Sequence, residues 1–350
     1  MDSRIKSPGQ QLIEKPDNGS ALSCLPVEIL RQIFIHCLPD AYALSPNLAP
    51  ILLSRICRRW RETSVNMPTL WRKVLVVVPA GDGDWKKSAV FYDLWLKRSQ
   101  GLPLSIAIDC SPNCKDKLRN ILQPYNTQIS SIEFLSGDAI IAAELLFETT
   151  DLPAFREVRL HRPLGDRVND ETDAIRSLSR LPCTLRTLKV IKEISFDLFN
   201  YSVCDVWAHL TTIKMNLYEE HDVLQLLRLC PKLSSLKTRL SSIDGSIPLQ
   251  PLTHMNLQSW SISCFTEIFH VLFNALTLPA LRVLEAHYLV WCHKEFMAFL
   301  ARSDCPLEHL ILGFGVMMTE RERRKAKREY IALLPSLEVE FDVVTAYHYG

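Results

Sequence analysis

Glycine is scarce in this sequence, with 11 residues in 350, and neither sign of charge is in excess. So few glycines leave little backbone able to approach a phosphate closely. A phosphate-cradling Gly-rich loop with its lysine is missing, and so are a Gly-x-Ser-x-Gly elbow and His-Glu-x-x-His. Lys and Arg number 40 against 39 Asp and Glu, a net charge of +1. This gives no global attraction to nucleic acid or to an acidic membrane, so a charge-driven partner has to meet a local patch. The stretch from Met1 to Ser20 carries Asp2, Arg4, Lys6, Glu14, Lys15 and Asp17 and has no apolar run of signal-peptide type. The most apolar later stretch, Val271 to Cys292, is interrupted by Asn274, Pro279, Arg282, Glu285 and His287, which argues against a bilayer span. Metal chemistry lacks a ligand set: Cys110 and Cys114 form a close pair, but a zinc site needs four ligands and no second pair stands nearby. No cofactor is expected.

What is present is the composition of a folded chain, 47% hydrophobic and 23% charged. The 11 cysteines are odd in number and scattered. Without a secretory signal, that pattern predicts reduced thiols and a cytoplasmic or nuclear location. Trp291-Cys292-His293 brings a thiol and an imidazole together in sequence, but adjacent residues point in different directions, so the pair is not expected to act as a nucleophile and base. The expectation is a non-enzyme.

The first organised segment opens at Ser23, with Pro26 in the first helical turn. Ile29, Ile33 and Cys37 form one stripe at a spacing of four and Leu30, Phe34 and Leu38 the next, together one broad apolar face. Pro39 and Asp40 end this helix, and a proline-rich loop leads to a second, in which Leu52, Ile56 and Trp60 recur at the same spacing. A third short element holds Met67, Pro68, Leu70 and Trp71. On periodicity alone, such stripes are the core of a helical hairpin.

The order of these residues adds a second reading. Leu25-Pro26-Val27-Glu28-Ile29-Leu30 with Ile33-Phe34, then Ile56-Cys57-Arg58-Arg59-Trp60 and Leu70-Trp71, resembles the F-box, in the variant abundant in mushroom-forming fungi. The resemblance extends through Leu94-Trp95-Leu96-Lys97-Arg98-Ser99 and Pro103-Leu104-Ser105-Ile106 to about residue 110. It implies docking to a Skp-type adaptor and, through it, to a cullin ubiquitin ligase. The residues implied at that contact are Leu25, Pro26, Ile29, Leu30, Ile33 and Phe34, with Cys57 and Trp60 shared between core and interface. The long loop from Pro39 to Pro50 departs from the shorter F-box pattern.

Further along, an apolar anchor is followed by two variable residues, an apolar residue, one variable residue and commonly another apolar residue. Aligned examples are Ile129-Ile132-Phe134, Phe155-Val158-Leu160, Leu185-Leu188-Val190, Leu210-Ile213-Met215, Leu233-Leu236, Leu252-Met255-Leu257, Leu281-Leu284-Ala286 and Leu307-Leu310-Leu312, with anchors 19 to 30 residues apart. Helical patterns such as Val223-Leu224-Leu226-Leu227-Leu229 fall between them. The period is that of leucine-rich repeats.

The fold class expected is therefore α/β: a small N-terminal three-helix F-box followed by a curved leucine-rich-repeat-like solenoid, strands on its concave face and helices on its convex face. An ordinary α/β domain with irregular strand spacing is the competing reading. The divisions are a disordered tail at 1–22, the F-box at 23–79, a linker and helix at 80–103, and the repeat domain with a C-terminal cap, strand Leu337-Val339-Phe341-Val343, at 104–350. The function expected is substrate recruitment to a cullin-type ligase, with a ubiquitin-independent interaction scaffold as the alternative.

Two charged features remain. Arg321 to Arg328 is a basic run interleaved with glutamates, which reads as a solvated helix face ahead of a nuclear-import or nucleic-acid signal. The variable residue between the last two apolar positions of the repeat faces away from the core, because strand side chains alternate. It is Arg159, Lys189, Lys214 and Lys237 in four consecutive repeats, with Glu133 before and Asn256 after. These four cations are candidates for contact with an acidic or phosphorylated target, and the simpler reading is that they solvate the sheet and blunt edge pairing.

Overall fold

The computed structural model describes residues 25–39, 42, 45–79, 85–110, 115–135, 152–161, 181–194, 206–241, 249–264 and 270–341. The expected tail, Ser23, the linker glycines Gly81 and Gly83, Cys114 and Val343 lie outside them.

Pro26, with φ −54° and ψ 147°, stands at the cap position and releases the chain into α1 (Val27–His36). The second expected helix is divided in two, α2 (Leu53–Ile56) and α3 (Arg58–Val65). The break falls at Cys57, which is extended at φ −152° and ψ 172°, and its Sγ accepts the N–H of Trp60 at 3.5 Å. A spacing of four continues across such a break, so periodicity could not reveal it. A 3₁₀ turn over Pro68–Trp71 leads into β1 (Lys73–Val78), followed by α4 (Trp85–Arg98). Gly101, at φ 85°, supplies the left-handed conformation that takes the chain out of α4. The indole N–H of Trp71 donates to the Ser64 carbonyl at 2.9 Å and that of Trp95 to the Trp71 carbonyl at 3.1 Å. These two buried bonds fasten the N-terminal helices to α4.

The remaining strands are β2 (Leu104–Cys110), β3 (Ile129–Phe134), β4 (Glu157–Leu160), β5 (Thr187–Ile194), β6 (Thr212–Leu217), β7 (Ser235–Leu240), β8 (Leu252–Thr253), β9 (Ser259–Cys264), β10 (Leu276–Thr277), β11 (Val283–His287), β12 (His309–Leu312) and β13 (Glu338–Phe341). The helices between them are α5 (Lys115–Leu122), α6 (Glu220–Leu229), α7 (His270–Ala275), α8 (His293–Ser303) and α9 (Glu320–Leu333). Eleven strands form one parallel sheet in the order of the chain, β1 to β7, then β9, β11, β12 and β13, while β8 and β10 pair apart from it. The protein is thus α/β.

Parallel neighbours require crossovers, and crossovers are right-handed. Among the described crossovers, α6 and α8 pack on one face of the sheet. The alternation agrees. Ile106, Ile132, Val158, Leu188, Ile213, Leu236, Trp260, Leu284, Leu310 and Val339 lie abreast and buried on that face, in one continuous core with Val223, Leu227, Phe296 and Phe299 of the helices. The opposite face carries the polar residues.

One repeat was placed wrongly by the sequence pattern. Leu252 belongs to β8, Met255 is 64% exposed, and the strand that joins the sheet is β9, carried by Leu257, Trp260 and Ile262. An indole fills the position that aliphatic residues hold in neighbouring repeats, and Leu252 behind Pro251 imitated the anchor. With Leu257 as anchor, the intervals of 19 and 29 residues on either side of Leu252 both become 24. The final strand joins the sheet as well: β13 pairs with β12 residue for residue, Leu310 beside Val339 and Leu312 beside Phe341.

At the C-terminal end, the basic run forms the outer side of α9. Thr319 and Glu322 make a reciprocal capping box, Arg324 pairs with Glu320 at 3.0 Å, and Ala326 and Tyr330 face inward. Tyr330 is fully buried: the Trp291 indole N–H donates to its hydroxyl at 2.8 Å, and the hydroxyl bonds His293 Nδ1 at 2.7 Å. His293 Nε2 meets Glu329 at 2.6 Å. Among the described residues, no helix is long and apolar enough to cross a membrane.

Candidate functional site

The sequence places Leu25, Pro26, Ile29, Leu30, Ile33, Phe34, Cys57 and Trp60 at one contact. The structure separates them. Leu30 and Phe34 are 0% exposed, and the Phe34 ring lies 5.0 Å from that of Trp60, so this stripe is the chain's own core. Ile29, 49% exposed, and Cys37 face outward on α1, while Ile33 between them is partly buried against the core. On the next helices Leu53 is buried while Leu52, Ile56 (52% exposed) and Cys57 face out. The two surfaces are linked, since the Arg59 guanidinium donates to the Leu25 carbonyl, joining the start of α1 to that of α3. Pro26 and Ile29 therefore lie at the same end of the helix pair as Ile56 and Cys57. Periodicity located both stripes of α1, but only tertiary packing decides which one turns inward.

The second site is the polar face of the sheet. Glu133, Arg159, Lys189, Lys214, Lys237, Ser261 and Glu285 occur in direct register on β3, β4, β5, β6, β7, β9 and β11. The four cations thus stand in one row as expected. Their neighbour beyond Lys237 is Ser261, not Asn256, because β9 takes the place assigned to Leu252-Met255-Leu257.

The row is not uniformly positive. Arg159 Nε bonds Glu157 at 2.8 Å and its guanidinium lies 3.6 Å from the buried Glu133, which also meets His161 Nε2 at 2.5 Å. Lys189 Nζ shares the same Glu157 oxygen at 2.8 Å. Burial alone would raise the Glu157 carboxyl, but the bonds from Lys189 and Arg159 outweigh it and hold the group below the ordinary carboxylate range. At the other side Glu285 meets His287 at 2.7 Å and stands 3.7 Å from Lys237. Lys214 is exposed and, among the described residues, has no carboxylate within 4.0 Å. Sequence reading overlooked Glu157 and Glu285, although residues i and i+2 of a strand share a face and Glu157 stands two before Arg159.

Over the first strands of this face lies the loop after α1. The Tyr42 hydroxyl bonds Ser105 Oγ at 2.5 Å, and a cavity of about 570 Å³ opens between this loop, Leu70, Leu75, Trp95 and Glu157. Burial and the Ser105 bond act in opposite senses on Tyr42, and its phenol is held above its ordinary value. The Cys292-His293 pair makes no nucleophile. Burial pushes the thiol up to about 12, and both ring nitrogens of His293 are occupied by Tyr330 and Glu329. Among the described residues, no group of three or more His, Cys, Asp or Glu side chains is placed to hold a metal ion.

A scan against protein-family models finds no match for this chain, and a search of curated proteins finds none either.

Proposed function

We propose that the protein is a substrate-recruiting subunit of a cullin-type ubiquitin ligase. Its N-terminal helices act as an F-box that docks on a Skp-type adaptor, and its sheet region, a leucine-rich-repeat-like solenoid, receives a target. The observation that carries this reading is the set of outward apolar side chains of Ile29, Leu52 and Ile56, with Pro26 and Cys57, on helices whose Leu30, Phe34 and Leu53 enter the core. Exposed apolar side chains on helices whose other side is already packed suit a partner. The ordered motif Leu25-Pro26 to Leu70-Trp71 names the partner's class. Support for the repeat reading comes from the coincidence of chain order and strand order, with a strand and a crossover in each interval. In this reading ubiquitin transfer belongs to the partners, the chain holds no cofactor, and it works in the cytoplasm or nucleus.

The docking set is narrower than the motif. Leu30 and Phe34 support the surface from beneath, and Trp60 does so through its contact with Phe34. The test is co-purification of the full chain with a Skp-type adaptor. The Ile29→Asp/Ile56→Asp variant keeps its near-ultraviolet spectrum, because both side chains already face water, and loses the adaptor. A folded double variant that still co-purifies with the adaptor refutes the docking assignment. A wild type that captures no adaptor or cullin but does capture other proteins turns the reading toward a ubiquitin-independent scaffold.

A further inference from the structure

We infer that the polar face of β6, β7 and β9, centred on Lys214 and Lys237, is a receiving surface for a short carboxylate-rich segment of a partner protein. The inference rests on the reading of the sheet as the target-binding part, and sharpens it from a row of four cations to one place and one chemistry.

The argument begins with what neutralises the row. Arg159 and Lys189 are committed to Glu157, with Glu133 behind them. Among the described residues, Lys237 has a long approach to Glu285, which His287 also engages. Lys214 lies between Lys189 and Lys237 in register and, among the described residues, has no carboxylate within 4.0 Å. Neighbouring strands are about 4.8 Å apart, so Lys214 and Lys237 repel each other in the isolated chain. Among the described residues, Glu285 at 3.7 Å from Lys237 is the nearest relief, and Lys214 has no carboxylate within 4.0 Å.

Two ordinary explanations fit poorly. Lysines do protect exposed sheet edges from pairing. Here β6 and β7 are interior strands, hydrogen-bonded on both sides, so they have no edge to protect. Nor does the patch express a generally basic protein, since the net charge is +1.

The surroundings indicate the ligand. In register with one another, Thr212 and Ser235 flank the two lysines on one side, and Asn216 and Arg239 on the other. Two ammonium groups thus stand with Thr212, Ser235 and Asn216 beside them on the face opposite the apolar row, and Glu193 of β5 is in register with Asn216. Carboxylates bound there gain charge-assisted bonds. The window has ends, however, with Glu157 and Glu133 on the β4 side and Glu285 on the β11 side. A long polyanion crossing the sheet would meet those acids. A segment with a few acidic residues fits between them, which favours a peptide over nucleic acid.

The experiment uses the full chain without adaptor. A labelled peptide of alternating Glu and Ser is titrated by fluorescence anisotropy at low salt. Companion probes are the same peptide with Lys for Glu, a phosphoserine peptide without Glu, and a single-stranded oligonucleotide of similar length. The Glu peptide binds, the Lys peptide does not, and affinity falls steeply as salt rises from about 0.05 to about 0.5 M, where the screening length shortens from roughly 13 to roughly 4 Å. Lys214→Glu/Lys237→Glu weakens binding about tenfold or more with an unchanged circular dichroism spectrum. Undiminished binding by that variant overturns the site. Preference for the oligonucleotide, or binding of the phosphoserine peptide alone, overturns the carboxylate assignment. The Ile29→Asp/Ile56→Asp variant binds the peptide like wild type, so a failed adaptor interaction and a failed peptide site are told apart.

Discussion

Replacing Tyr330 by Phe removes one oxygen from the centre of the C-terminal packing and little else. The ring stays: it packs edge-on against Phe296 at 5.2 Å, a contact phenylalanine reproduces. The hydroxyl accepts from the Trp291 indole and is hydrogen-bonded to His293 Nδ1, while His293 Nε2 meets Glu329. Loss of the oxygen leaves the Trp291 N–H without its acceptor in a site where Trp291 is only 7% exposed and enclosed by Phe273 and Phe296. An orphaned buried donor costs about 1–3 kcal/mol. His293 is partly exposed and can turn to water, so its loss adds less, and the variant is destabilised by about 2–3 kcal/mol. The loss falls locally, because α9 is joined to the fold through this residue and Ala326. Hydrogen exchange should therefore show α9 and β13 opening first, with the midpoint of urea unfolding lowered as well. Removing both partners, in Trp291→Phe/Tyr330→Phe, costs less than the sum of the single changes because no donor is left stranded. A Tyr330→Phe protein within about 0.5 kcal/mol of wild type, with unchanged exchange in α9, refutes the reasoning.

Two further outcomes follow from the burial and charge pattern. Under native conditions an alkylating reagent read out by peptide mass spectrometry should modify Cys37, Cys57 and Cys183, while Cys110, Cys230, Cys264 and Cys305 react only after unfolding; burial pushes the Cys305 thiol up to about 11. Rapid native labelling of Cys230 or Cys264 contradicts the packing. Because the Glu157 carboxyl lies below its unfolded value, its contribution is complete above about pH 4.3 and is lost as the pH falls through the folded value, so the stability gap between wild type and Glu157→Gln should narrow from pH ~6 to pH ~3. A gap constant over that range dissociates Glu157 from Arg159 and Lys189.

Much of the architecture is legible in the sequence because a parallel strand covered on one face repeats a short apolar signature. Leu185-Leu188-Val190 and Leu210-Ile213-Met215 identify their strands, and Leu188 and Ile213, equal positions in the motif, are paired in the sheet before the register shifts beyond Lys189. That is why Arg159, Lys189, Lys214 and Lys237 could be aligned before any coordinates. What periodicity lacks is a sense of inside and outside when two stripes are equally apolar, as with Leu30-Phe34 and Ile29-Ile33 on α1. It also fails when one repeat changes its residue class, as Trp260 does. Charge compensation is a third gap, because Glu157 and Glu285 act across strands and their effect depends on register.

The coincidence of strand order with chain order has a consequence for how the protein is made. Each strand of the large sheet hydrogen-bonds only to the strand before it and the one after in that sheet, so none of its described strands waits for a distant part of the chain. Closing each interval costs similar, modest entropy, since that cost grows only slowly with loop length. During synthesis from the N-terminus, β1 and the helices around it can assemble first, and every later strand emerges beside a template already in place. The growing edge is then the vulnerable place at each moment, and it moves along the chain until β13, with Glu338 and Glu340 exposed upon it, presents charge to any strand that would add next.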